Sequence, residues 1–112
     1  MTDDRIPTDI WVMAQVRSLS ARGLPVYVLH KGALAAGTIM VKVVVRGQGC
    51  HLFNQARDMD GKSGWMRVFD TGIVDEKQAD EYIQRNRKRD PDLWVIEVED
   101  ADGKNPFEGK IL

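Results

Sequence analysis

Asp90-Pro91-Asp92-Leu93-Trp94-Val95-Ile96-Glu97-Val98-Glu99-Asp100 constrains this chain more than any other stretch. A charged helical segment ends at a proline, because the residue before proline disfavours helical geometry. Alternating β-formers follow at once. Trp94, Ile96 and Val98 fall on one face of the predicted strand, and Leu93, Val95, Glu97 and Glu99 on the other. A helix-to-strand junction near the C-terminus is therefore fixed.

Upstream, Asp75 to Arg89 reads as a helix. Acidic residues come early (Asp75, Glu76, Asp80, Glu81) and basic ones late (Arg85, Arg87, Lys88, Arg89), which complements the helix dipole at both ends. Its apolar stripe is thin: Ala79, Tyr82 and Ile83. It is expected to cover an edge or end of the core.

The first helix starts at Thr8 or Asp9 and runs to about Arg22, with Gly23 as its stop and Pro25 beyond. Its spacing predicts a core stripe of Val12, Met13, Val16 and Leu19. Trp11 lies off that stripe and is a candidate partner surface. Trp94 and Trp65 are read as packing residues.

Four strands separate the helices. Val26 to Lys31 is bounded by Pro25 and Gly32. Thr38 to Arg46 is the clearest, with Ile39, Val41, Val43 and Val45 on an apolar face and Thr38, Met40, Lys42, Val44 and Arg46 on a mixed one; it is expected to be central. Gly47-Gln48-Gly49 turns into a hairpin partner at about Cys50 to Ala56. Arg57 to Gly64 is a polar turn, and Trp65 to Phe69 is the next strand. The order α-β-β-β-β-α-β predicts an α+β fold: a mainly antiparallel, possibly mixed sheet of about five strands, with two helices packed on one face. One domain over residues 1–112 is expected, with a core from about 8 to 100 and peripheral tails at 1–7 and 101–112. Phe107, Ile111 and Leu112 could anchor the second tail.

Composition narrows the function classes. A net charge of −1 gives no overall field for nucleic acid or an anionic membrane. One cysteine cannot form an internal disulfide, which fits a reducing compartment. Met1-Thr2-Asp3-Asp4-Arg5 opens no signal peptide, and no run approaches the roughly 20 apolar residues of a membrane span. A cytoplasmic protein is expected.

The chemistry-bearing residues are sparse. Cys50 and His51 are adjacent on a strand and point to opposite faces, so with His30 they make neither a metal site nor a nucleophile pair by motif. Asp58-x-Asp60-Gly61 and Asp100-x-Asp102-Gly103 fail as calcium loops, because aligning the glycine leaves Ala56 or Val98 at the first ligand position. No metal or cofactor is expected. Asp92, Glu97 and Glu99, with Lys42 supplying positive charge, resemble the carboxylate set of Mg²⁺-dependent nucleases, although the expected lysine two residues after Glu97 is Glu99. Arg85, Arg87, Lys88 and Arg89 form the sole basic cluster, spread around a helix, so nucleic acid is the less favoured partner.

Three segments carry a family resemblance: Arg5-Ile6-Pro7-Thr8-Asp9-Ile10-Trp11-Val12, Val41-Lys42-Val43, and Asp90 to Asp100. They are similar to a bacterial family of small proteins, number fourteen ninety-one among the domains of unknown function. The resemblance spans about Arg5 to Gly103. It implies a small, single-domain bacterial cytoplasmic protein and brings no activity, cofactor or catalytic residue. The leading expectation is a non-enzymatic binding or assembly module with a protein partner, such as a homodimer. The alternatives are a metal-assisted phosphodiester enzyme using Asp92, Glu97 and Glu99, and nucleic-acid binding through residues 85–89.

Overall fold

The computed structural model describes residues 6–112; the first five residues of the expected lead-in lie outside the described residues. Helix α1 spans Thr8–Ala21 and α2 spans Glu76–Arg89. The strands are β1 (Val26–His30), β2 (Ile39–Val45), β3 (Gly49–Arg57), β4 (Ser63–Arg67), β5 (Trp94–Glu99) and β6 (Lys110–Ile111). They form one mixed sheet in the order β1-β5-β2-β3-β4-β6. β5 lies parallel to β2 and antiparallel to β1, while β3 and β4 continue antiparallel from β2.

The α+β class and the element order agree with the sequence, and β2 is central as expected. Two features differ. The sheet has six strands among the described residues, because the tail supplies β6 parallel to β4. The helices pack on opposite faces, not on one. α1 covers a core of Ile39, Val41, Val43, Phe53, Trp65, Trp94, Ile96 and Val98. α2 covers a second core of Met40, Cys50, Leu52, Leu93 and Val95 through Ala79 and Ile83. The cause is visible in β2, which is buried along both faces and so needs a roof on each side. α2 thus closes a core of its own instead of an edge.

Local chemistry sets the boundaries. Asp75 caps α2 by accepting from the Gln78 amide at 2.8 Å. Asp90 leaves the helix at φ −134°, ψ 86°, as Pro91 requires. Gly49 holds φ +134° where β3 meets Val74, and a Cβ there would lie 2.2 Å from the Val74 carbonyl oxygen. That close approach lets Cys50 and Val74 exchange backbone hydrogen bonds.

The tail docks firmly. Phe107 is buried against Trp11 and Trp65, with ring centroids 5.7 and 6.0 Å away. The Trp65 indole donates to the Glu108 carbonyl at 3.1 Å, and the Leu112 amide donates to the Trp65 carbonyl at 2.7 Å. This arrangement corrects the reading of α1. Trp11 is buried under the tail, so it is not a partner surface, whereas Met13 is 51% exposed and outside the core. The core stripe of α1 is rotated toward Trp11 because Phe107 supplies an apolar wall there.

Candidate functional site

Lys42 lies in the middle of β2 and is 2% exposed. The parallel register sets it beside Glu97 of β5. Glu76 and Asp80, one helical turn apart on α2, reach down from above. The ammonium lies 2.7 Å from Glu76 Oε2, 2.8 Å from Asp80 Oδ1 and 3.2 Å from Glu97 Oε1. Burial alone would lower its pKa, but hydrogen bonds to Asp80, Glu76 and Glu97 outweigh that and hold it above the ordinary lysine value. The nitrogen therefore stays protonated and has no free lone pair for nucleophilic chemistry. Lys42 works as an internal counter-ion that ties α2 to the two central strands.

The proposed phosphodiester set does not converge. Lys42 and Glu97 meet, but Glu99 turns to Arg46 at 3.5 Å. Asp92 lies in the turn that precedes β5, five residues before Glu97 and outside the strand. Its amide donates to Asp90 Oδ1, and its carbonyl accepts from the Ala33 amide. Among the described residues, no three His, Cys, Asp or Glu side chains are disposed to hold a metal ion. An ammonium occupies the point where three carboxylates do meet.

The soft ligands are also apart. Cys50 is fully buried on the Lys42 face, and burial pushes its thiol pKa up to about 11. His51, opposite Val43, faces the other core; burial first, then Arg67, lowers its pKa. Its Nδ1 is buried without a hydrogen-bond partner. His30 lies on β1, with β5 and β2 between it and β3. Of the basic cluster, Arg85, Lys88 and Arg89 are exposed, and Arg87 is half-buried. Arg85 lies over the Tyr82 ring at 5.8 Å.

A cavity of about 340 Å³ opens beside the start of α1, lined by Thr8, Ala35, Gly37, Thr38, Gln55 and Arg57 among others. The helix terminus gives it no free amides at Thr8 and Asp9, which donate to the Ala35 and Leu34 carbonyls. Arg57 donates to the Gly61 carbonyl at 2.8 Å.

The unsatisfied feature is an apolar rim where α1 runs beside β1. Met13 follows Trp11 by two residues, about 200° around the helix, so it occupies the flank away from the tail. Val16, one turn further on, packs on the α1 core together with Val26 of β1. Val28 shares the α1-facing side of β1 with Val26. Leu34 is held outward by its loop: Trp94 donates to the Ala33 carbonyl at 2.7 Å, and Asp9 donates to Leu34 itself at 2.9 Å. Ile10, Met13, Val28 and Leu34 are 58, 51, 37 and 55% exposed. Tyr27 and Leu29 add exposed apolar surface to the same edge strand. That strand carries no Lys, Arg, Asp or Glu.

Sequence reasoning did not identify Glu76 and Asp80 as partners of Lys42. The available signal was a lysine amid valines, which requires carboxylates from another element. It also missed Ile10, Val28 and Leu34, whose exposure depends on how α1 is rotated.

No helix among the described residues is long and apolar enough to cross a membrane. No curated protein matches the chain. Solved structures do match it. A crystal structure of a DUF1491 family protein from Caulobacter crescentus CB15 is 35% identical, with 96% of this chain and 99% of that one covered and a TM-score of 0.84. An NMR structure of a DUF1491 family protein from the same organism, also 35% identical, covers 96% and 97% with a TM-score of 0.81. The solution structure of protein Atu0922 from A. tumefaciens is 28% identical over 86% of each chain, with a TM-score of 0.70. The family described as "Protein of unknown function (DUF1491)" matches residues 6–108, and this chain belongs to it.

Proposed function

We propose that this protein is a non-enzymatic binding or assembly module that docks a protein partner on the α1–β1 rim. The observation that carries this reading is the exposure of Ile10, Met13, Val28 and Leu34 at one place, on an edge strand without charged side chains. Edge strands are ordinarily protected by charge, shortness or a cover. The opposite edge follows that rule: β6 is two residues long and carries Lys110. The contrast supports a rim kept apolar for contact.

The enzyme reading has less support, because the best lysine is neutralised by three carboxylates and Asp92 lies apart from them. The nucleic-acid reading rests on a basic helix end that already has a structural reason to exist.

A photo-crosslinking side chain placed at position 13 tests the reading, with position 81 on the outer surface of α2 as control. Irradiation in cells should give adducts of discrete mass from position 13 and none from position 81. Monomer-sized protein alone from both positions would refute a binding rim.

A further inference from the structure

We infer that the partner on this rim is a second copy of the chain, with the two α1 helices packed antiparallel across a two-fold axis at Met13. The inference rests on the rim reading above and adds the identity of the occupant. Asp9, Met13 and Arg17 follow one another at four-residue spacing, so they lie close to one line on the flank of α1, with Met13 and Arg17 exposed and Asp9 half-buried. Each step is about 6 Å along the axis, with the acid one step before Met13 and the base one step after. A two-fold through Met13 exchanges the two ends. Asp9 of each copy then meets Arg17 of the other, and the two methionines meet each other.

The pattern is self-complementary in charge and in apolarity. A two-fold contact requires this, since the same patch must serve both sides. Arg17 is exposed, and among the described residues neither Arg17 nor Asp9 makes an ion pair within the chain. The Asp9 carboxylate accepts only a local bond, from the Ile10 amide at 2.9 Å. Ile10 and Leu34 flank the axis with further apolar surface, and β1 adds Val28.

The area fits a modest dimer. Four partly exposed apolar side chains on each copy, Ile10, Met13, Val28 and Leu34, with the two Asp9–Arg17 contacts, bury on the order of 800 Å² in total, the size of a weak interface. A dimer of micromolar affinity is expected.

Charge exchange provides the test. Full-length wild type, Asp9→Arg and Arg17→Asp are each followed by sedimentation velocity over a concentration series, alone and as an equimolar mixture of the two variants. Wild type should dimerise. Each variant alone sets like charges together twice per interface and should weaken its dimer about tenfold. The mixture restores both attractions, so it should form a heterodimer near wild-type affinity. Recovery on mixing separates this from a variant that merely misfolds, and circular dichroism of each variant checks the helix. A wild-type dimer unaffected by either change, or no recovery in the mixture, overturns the geometry. A wild-type monomer at every concentration overturns the second copy as partner, while adducts from position 13 to another protein would leave the rim reading standing. A monomer with no such adduct ends both.

Discussion

A lysine inside an apolar strand survives only if its charge is answered at close range, and the cost of removing the answer is not symmetric. Lys42 is deeply buried, while the side chains of Glu76 and Asp80 are 58 and 51% exposed. Lys42→Met releases carboxylates that water can reach, and the methionine fills the same volume. We expect a loss within about 1 kcal/mol. Glu76→Gln combined with Asp80→Asn strands a buried ammonium on Glu97 alone and should cost about 3 kcal/mol. Urea denaturation of the two variants should rank them in that order. Two buried groups also set a pH dependence. Lys42 is charged in the fold above the pH where an unfolded lysine loses its proton, so its contribution is full below about 10.5 and declines as pH rises beyond that. Cys50 holds its proton to about 11 in the fold but only to 9.0 when unfolded, so stability falls as pH rises between those values. Stability at pH 10.5 should lie about 1–2 kcal/mol below that at pH 8. Cys50→Ala should flatten most of that slope, and equal slopes in wild type and variant would refute the assignment.

At the scale of elements, the C-terminal tail has the largest unexpected role. Phe107 joins Trp11 and Trp65 in one aromatic cluster, so it is a core residue supplied from outside the expected 8–100 core. Phe107→Ala should cost about 3 kcal/mol and expose the edge of β4, lowering the thermal midpoint and speeding amide exchange at Trp65 and Met66. The helix-to-strand junction at Asp90, the central β2 and the two faces of β5 were legible, because proline, glycine and period-two alternation act locally. The rotation of α1 was not. Met13 and Trp11 are both apolar, and only the wall provided by Phe107, 96 residues after Trp11, decides which of them goes inside. The opposite placement of the helices was half legible: Met40 and Val44 beside Lys42 already gave β2 a second apolar face. Of the candidate site, the Lys42–Glu97 contact could be read from strand pairing, but not the two carboxylates that α2 brings to it.

For the molecule as a whole, the parallel pairing of β2 with β5 determines when each core can close. Both cores take residues from β2 and from β5, yet paired residues such as Ile39 and Trp94 stand 55 positions apart in sequence. On the ribosome the apolar strand Ile39–Val45 emerges early and can pair at once only with β3. Its other edge stays open until Trp94–Glu99, whose residues stand 55 positions after their partners in β2, has also left the exit tunnel. Neither α1 nor α2 has a finished floor to rest on before then. Over that interval the growing chain carries a valine-rich strand with one edge open, and holding chaperones or neighbouring nascent chains would compete for that edge.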